Sequence, residues 1–349
     1  MSQLIYQFYS PKGLQKNKNV SNSSRLVLVE AEKYGVEWNI LPGTQIITLT
    51  YNGKTQTYYH QVPSATTALA IYSTQNKRTT SYLLQNAGIS VPKGYRIKKS
   101  ASQEYLHSLF DNLQKPLVVK PSDGTWGENI TVNIQSFEEF TQAIQVAFQY
   151  SGKESARIIV EEMFKGEEYR ILATQEKVLG ILNRRPASVM ANGVDTIRKL
   201  IQEKNTNPIR GPKNSTCSHL KIRMDENLRK NLAEQNLTLD SIPPESERIF
   251  LRNVSNVSQG GDAIDYTDLV HPSVNEIALK AIKAIPGLSF AGLDMLSTDI
   301  TMPQTDDSYV IIEINDSPGF DIHDYPYEGK NRHVARAFLF LMFPELKAV

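Results

Sequence analysis

The sequence predicts a mixed α/β protein of two or three subdomains, opening with a small α/β lobe. Three observations predict it. The chain has 349 residues, long for one compact core. Short β-type runs alternate with amphipathic helical stretches along most of its length. A polar, Asn-rich tract at about 186–256 interrupts that alternation and reads as an insertion or substrate lobe.

Composition narrows the class. Hydrophobic residues make up 40% and charged residues 21%, which suits a soluble globular chain rather than a disordered one. The net charge of +1 creates no global field for nucleic acid or an acidic membrane, so neither is expected as a partner. One cysteine, Cys217, excludes an intrachain disulfide and a cysteine zinc cluster; it reads as an ordinary thiol. The first residues, MSQLIYQFYSPKG, are too short and polar for a signal peptide. The apolar run at 337–343 falls far short of the ~20 residues that span a bilayer, and cytoplasmic residence is the expectation.

In order along the chain, residues 1–24 are polar and expected to be loosely ordered, and 24–34 read as a short helix. Residues 44–51 alternate like a strand, Asn52-Gly53 reads as a hairpin turn, and a strand through 57–60 follows. Residues 77–87 read as a helix stopped by Gly88, with an extended segment from Val91-Pro92. Residues 117–120 and 130–134 are β-type runs. Ser136 and Glu139 form a capping-box pair before a helix carrying Phe140, Ile144 and Phe148. Residues 157–160 form a strand ending in Glu161-Glu162. Beyond the polar tract, Ser273 and Glu276 cap a helix that runs to Ile285. Residues 290–296 and 309–315 read as paired strands, and 331–342 as a final helix.

Three segments could carry chemistry. Side chains two apart on a strand share a face, so Glu313 and Asn315 project together from an otherwise apolar strand. Asp294 sits in a second apolar strand. Two carboxylates and an amide oxygen suit a hard cation such as Mg²⁺; the alternative is that the acids pair with buried Arg or Lys. Lys120 ends a strand just before the loop Gly124, Thr125, Trp126, Gly127, where backbone N–H groups and a point charge could hold phosphate; a plain Gly-containing hairpin is the bland alternative. Glu161, Glu162, Phe164 and Glu168 frame a strand end and turn that could offer backbone groups to a purine and a carboxylate to ribose, or be a surface turn.

In this order, these segments resemble the ATP-grasp superfamily over roughly residues 25–345. The likeness is greatest to the ligase portions of cyanophycin synthetase and of the fused glutamate–cysteine ligase/glutathione synthetase. It rests also on 73–94 (STQNKRTTSYLLQNAGISVPKG), 183–211 (NRRPASVMANGVDTIRKLIQEKNTNPIRG), 251–272 (LRNVSNVSQGGDAIDYTDLVHP) and 313–330 (EINDSPGFDIHDYPYEGK). The resemblance implies an ATP-grasp fold: an N-terminal lobe at 1–90, a central lobe at 91–165 and a C-terminal lobe at 166–349, the last two being α+β lobes that clamp ATP. It implies that Lys77 and Lys120 touch the nucleotide phosphates and that Gly124 to Gly127 form a mobile loop over them. Glu161, with Glu162 and Phe164, would sit at the adenine-side hinge, and Glu168 would hold the ribose. Asp294, Glu313 and Asn315 would bind Mg²⁺ or Mn²⁺. Arg184 would face the reacting carboxylate or transferred phosphoryl; Arg252 and residues 255–261 would line the acceptor side.

Two departures stand out. Glu128 lies where cyanophycin synthetases tend to carry a small or basic residue, so it is expected to point away from phosphate. The chain stops at Val349 without the further domains of either relative, so making cyanophycin by both additions is not expected. The implied activity is an ATP-dependent carbon–nitrogen ligase that joins a small carboxylate to an amine through an acyl phosphate, as a homo-oligomer. A ligase that modifies a peptide or protein side chain, and a non-catalytic nucleotide-binding module, are the rival readings. His271, before a proline at a helix start, reads as structural; His323 is read as structural or as a substrate contact.

Overall fold

The computed structural model describes residues 20–122, 130–151, 156–213 and 215–348. Helix α1 (Asn22–Lys33) begins two residues earlier than its apolar spacing suggests. Ser21 caps it by accepting from the Ser24 N–H. An antiparallel sheet follows in sequential order, β1 (Glu37–Ile40), β2 (Ile46–Tyr51), β3 (Lys54–Tyr59) and β4 (Val62–Pro63). The Asn52-Gly53 turn joins β2 to β3 with φ of 48° and 76°, the left-handed pair that a two-residue hairpin demands. Helix α2 (Ala68–Gln75), which the sequence reading did not single out, precedes α3 (Lys77–Asn86). Ala70, Leu84 and Ile89 are buried in the core of the C-terminal sheet, so the helix that carries Lys77 is rooted there.

The central lobe contains β5 (Gly94–Lys98), α4 (Gln103–Asn112), β6 (Leu117–Pro121), β7 (Thr131–Ile134), α5 (Phe137–Ser151) and β8 (Arg157–Glu162). Its strands form one antiparallel sheet in the order β5-β8-β6-β7. The capping box is made in full: the Glu139 N–H donates to Ser136 Oγ at 3.2 Å, and the Ser136 N–H donates to the Glu139 carboxylate at 3.0 Å. Helix α5 then buries Phe140, Ala143, Ile144 and Ala147 on the sheet.

The C-terminal lobe opens with β9 (Glu167–Thr174) and β10 (Val178–Arg185). The polar tract then folds as β11 (Ser188–Met190), α6 (Ile197–Lys204), β12 (Arg210–Gly211), β13 (His219–Leu220), α7 (Glu226–Glu234) and β14 (Arg248–Phe250). It has its own core of Ile197, Ile201, Leu228, Leu232, Ile249 and Leu251. These apolar residues come singly or in pairs, so the tract lacks the long apolar runs that advertise a core. The chain returns as β15 (Asp262–Asp265), α8 (Pro272–Lys283), β16 (Phe290–Ser297), β17 (Tyr309–Asn315), α9 (Asp321–Asp324) and α10 (Val334–Met342).

Five antiparallel strands in the order β15-β10-β9-β16-β17 form the second large sheet. The expected β16–β17 pairing is present. The cap of α8 needs correction: His271 is the N-cap, its Nδ1 accepting from the Ser273 N–H at 3.2 Å, with Pro272 at the first helical position where no N–H is needed. This is the structural role expected of His271. The last helix starts at Val334 rather than 331, because the Asp324 carboxylate caps it through the Val334 and Ala335 N–H groups. Helix α10 packs against α1 and the N-terminal sheet around Leu28, Tyr58, Phe338 and Phe343.

Candidate active site

Strand pairing brings the three proposed metal-binding residues together. Asp294 in β16 lies opposite Glu313 in β17, and Asn315 Nδ2 comes to 3.5 Å from an Asp294 carboxylate oxygen. The register then shifts, so that Met295 faces Ile311 and Ile312 is the extra residue of a bulge beside Glu313. Among the described residues no three His, Cys, Asp or Glu side chains gather as a self-sufficient metal site. Two acids and an amide oxygen, with neither sulfur nor imidazole, instead fit a hard divalent cation that brings phosphate oxygens with it.

The alternative foreseen for these acids holds fully for Asp294 and in part for Glu313, which Lys77 reaches. Asp294 is gripped by two arginines: Arg170 Nε at 2.6 Å and Arg184 Nη1 at 3.0 Å. Arg184 also reaches Glu168 at 3.2 Å and donates from Nε to the Ser255 carbonyl at 3.2 Å. Burial would lower the pKa of Arg184, but the Asp294 and Glu168 carboxylates outweigh it and raise it. Burial pushes Glu168 up; Arg184 pulls it back, while Asp294 adds to the rise. Glu168 thus stands in one charge network with Arg184 and Asp294. Arg170 escaped the sequence reading. The available signal was its place two residues from Glu168 on the same strand, which puts both on one face.

The two lysines expected to touch phosphate come from two lobes. Lys77 Nζ, at the start of α3, is 3.6 Å from Glu313. Lys120 Nζ, near the end of β6, is 2.5 Å from Glu161 in β8, with the lysine almost fully buried. Lys77, Lys120, Glu161, Ile312 and Glu313 line one cleft of about 780 Å³ between the sheets, within the size range of small-molecule sites. Glu162 is held by Lys93 Nζ at 2.9 Å and by the Gln114 N–H at 3.0 Å. Phe164 is half-buried in the connection from β8 to β9. The Met163 N–H in that connection is taken by the Pro116 carbonyl at 2.9 Å.

Gly124, Thr125, Trp126 and Gly127, the proposed phosphate loop, and Glu128 lie outside the described residues. Arg252 is buried in the inserted subdomain, where Nη2 binds Asp225 at 2.7 Å and the Arg223 carbonyl at 3.2 Å. In the 255–261 segment, Ser255 reaches the Arg184 network and Asn256 caps a short turn of 3₁₀ helix. His323 is fully buried with both ring nitrogens lacking a described partner, and burial pushes its pKa down to about 3. No helix among the described residues is long and apolar enough to cross a membrane.

No family model matches the chain. It is 35% identical over 328 residues to the glutathione biosynthesis bifunctional protein of Clostridium perfringens, covering 92% of this chain and 41% of that one. It is 34% identical over 337 residues to the cyanophycin synthetase of Trichormus variabilis, covering 95% and 36%. Its fold superposes on a bifunctional glutathione synthetase from Pasteurella multocida with a TM-score of 0.75 at 30% identity, covering 94% and 44%. The chain therefore spans less than half the length of these relatives. With matching sequence over nearly its whole length and matching architecture around the cleft, the chain belongs to the ATP-grasp superfamily.

Proposed function

We propose that the chain is an ATP- and Mg²⁺-dependent ligase that joins a carboxylate to an amine on small amino-acid or dipeptide-like substrates, releasing ADP and phosphate. One observation carries this reading: Lys77, Lys120 and Glu313 line a single cleft, with Asp294 in register behind Glu313. The two lysines would hold phosphate groups from opposite lobes. Glu161, Glu162 and Phe164 would border the adenine and Glu168 the ribose. Mg²⁺, held by Asp294, Glu313 and Asn315, would neutralise phosphate charge. Arg184 would meet charge that moves from phosphate to the substrate carboxylate. In such a reaction the carboxylate attacks the γ-phosphate, giving an acyl phosphate that the amine then cleaves. Water must be kept from that activated acid, which is the work of lobe closure. Arg252 and the segment at 255–261 would bear on the acceptor amine.

The test is ATP-dependent phosphate release across a panel of amino acids and dipeptides, with products weighed by mass spectrometry. A product equal to two substrates less water, formed with ADP, supports amide ligation and names both partners. Absence of release with every small substrate, despite Mg·ATP binding, overturns the small-substrate reading in favour of a peptide- or protein-modifying ligase or a non-catalytic module.

A further inference from the structure

The grip on Asp294 is uneven, and the unevenness assigns a role to Arg170. Arg170 takes the carboxylate with two prongs, Nε on Oδ1 at 2.6 Å and Nη2 donating to Oδ2 at 3.1 Å. Arg184 touches Oδ1 alone, at 3.0 Å. A carboxylate offers about four lone-pair directions. Three are taken by guanidinium groups, two on Oδ1 and one on Oδ2. The fourth, on Oδ2, receives only a long contact of 3.5 Å from Asn315 Nδ2, which a cation could displace.

Arg170 can lie there because of Gly292. The two strands place Arg170 opposite Asp294. A Cβ on Gly292 would come within 2.8 Å of Arg170 Nη1 and 2.8 Å of Pro318 Cβ. The missing side chain leaves a slot for the guanidinium between β16 and the loop after β17.

We propose that Arg170 is a positioning residue: seated in the Gly292 slot, it fixes the plane of the Asp294 carboxylate so that Oδ2 stays open toward Asn315 and Glu313 for a divalent cation. This rests on the proposed function of the site. Arg170 itself is not among the residues that line the cleft. A lysine there would keep the positive charge but not the plane, since an ammonium is a point charge and a guanidinium a rigid fork.

The experiment measures Mn²⁺ binding to the full chain by electron paramagnetic resonance, with the β,γ-imido analogue of ATP present and no turnover. Wild type, Arg170→Lys and Gly292→Ala are compared, with the Mg²⁺ dependence of phosphate release read in parallel. Gly292→Ala changes no charge; it closes the slot on Arg170 and also presses on Pro318. Both variants should bind Mn²⁺ about 10–100-fold more weakly, as for other residues that orient metal ligands. The Mg²⁺ concentration for half-maximal rate should rise, while the rate at saturating Mg²⁺ falls much less. A merely structural arginine would lower the folded fraction and leave the metal affinity of the folded protein unchanged. Wild-type Mn²⁺ affinity in folded Arg170→Lys overturns the proposal. Should that variant not fold, wild-type affinity in Gly292→Ala overturns it equally. If wild type with the analogue binds no Mn²⁺, the reading of the metal site itself falls, and this inference with it.

Discussion

Among the described residues the five-stranded sheet holds one aspartate between two cations in two places, and only one of them stands beside a residue that lines the cleft. At the first, Asp262 in edge strand β15 is paired with Arg210 and with Lys204, the latter at 2.6 Å. Tyr327 lies over both cations, and Arg210 also donates to the Leu220 and Gly260 carbonyls. At the second, Asp294 in β16 is paired with Arg170 and Arg184. The chemistry is nearly the same; access is not. The Asp262 side chain is 1% exposed, whereas Asp294 stands beside Glu313, which is 35% exposed and lines the cleft. A buried ion pair shut away from the cleft can only fasten the structure, whereas one that adjoins a cleft-lining acid can also serve a ligand.

Substitutions should separate the two. Asp262→Ala strands two buried cations and should cost about 3–5 kcal/mol of stability. Chemical denaturation should show that loss, while the protein that remains folded still binds Mg·ATP. If nucleotide binding disappears from the folded fraction, the division between fastening and function is wrong. Glu313→Ala should do the reverse. It removes a partly exposed group that we propose binds the metal, so phosphate release should fall about 10²–10³-fold with little change in melting temperature. An unchanged kcat would remove Glu313 from the site.

Glu168→Ala should have a smaller effect. It should raise the KM for ATP about tenfold or more and lower kcat less, because the proposed ribose contact would be made equally in ground and transition states. A collapse of kcat with intact ATP binding would instead place Glu168 with the reacting groups through its pair with Arg184. The smallest effect concerns Asp324, which caps α10 and lies outside both clusters. Burial pushes its carboxyl up to about 7 from an ordinary 3.8. Its contribution to stability is therefore full below about pH 4 and lost as pH rises through about 7. Asp324→Asn should flatten that slope, so that the stability difference between variant and wild type changes by about 1–2 kcal/mol from pH 5 to pH 8, the capping N–H bonds limiting the gain. Parallel stability curves over that range would refute it.

Much of this was legible locally. Asn52-Gly53 fixed a hairpin because few pairs tolerate two left-handed residues, and Ser136 with Glu139 fixed a helix start because each satisfies the other's backbone. The strand pairing that unites Asp294 with Glu313 could be read from two apolar runs, each interrupted by an acid. Arg170 could not be read in the same way: its meaning depends on which neighbour lies across the ladder and on the space above Gly292, which are facts of register rather than of spacing. The core of the inserted subdomain was hidden for a related reason. Its apolar residues are spread over short elements that only tertiary folding brings together. His271 shows a third limit, since an imidazole took the capping place that a nearby serine was expected to fill.

The pairing of β10 with β15 has a consequence for how such a protein can change. The chain departs from the sheet at Arg185 and rejoins it at Asp262, which are partners across one ladder. Both ends of the inserted subdomain are thus pinned one strand spacing apart, about 4.8 Å. A cassette that can close across so short a gap could be exchanged at this seam with the β10–β15 ladder kept, provided it again supplies cations to Asp262 and an acceptor to the Ala263 N–H. Even a doubling of its length would add only about 0.6 kcal/mol of closure entropy if the added chain were flexible. The scaffold that carries Asp294 and Glu313 can therefore stay fixed while the part of the molecule beside it is rewritten.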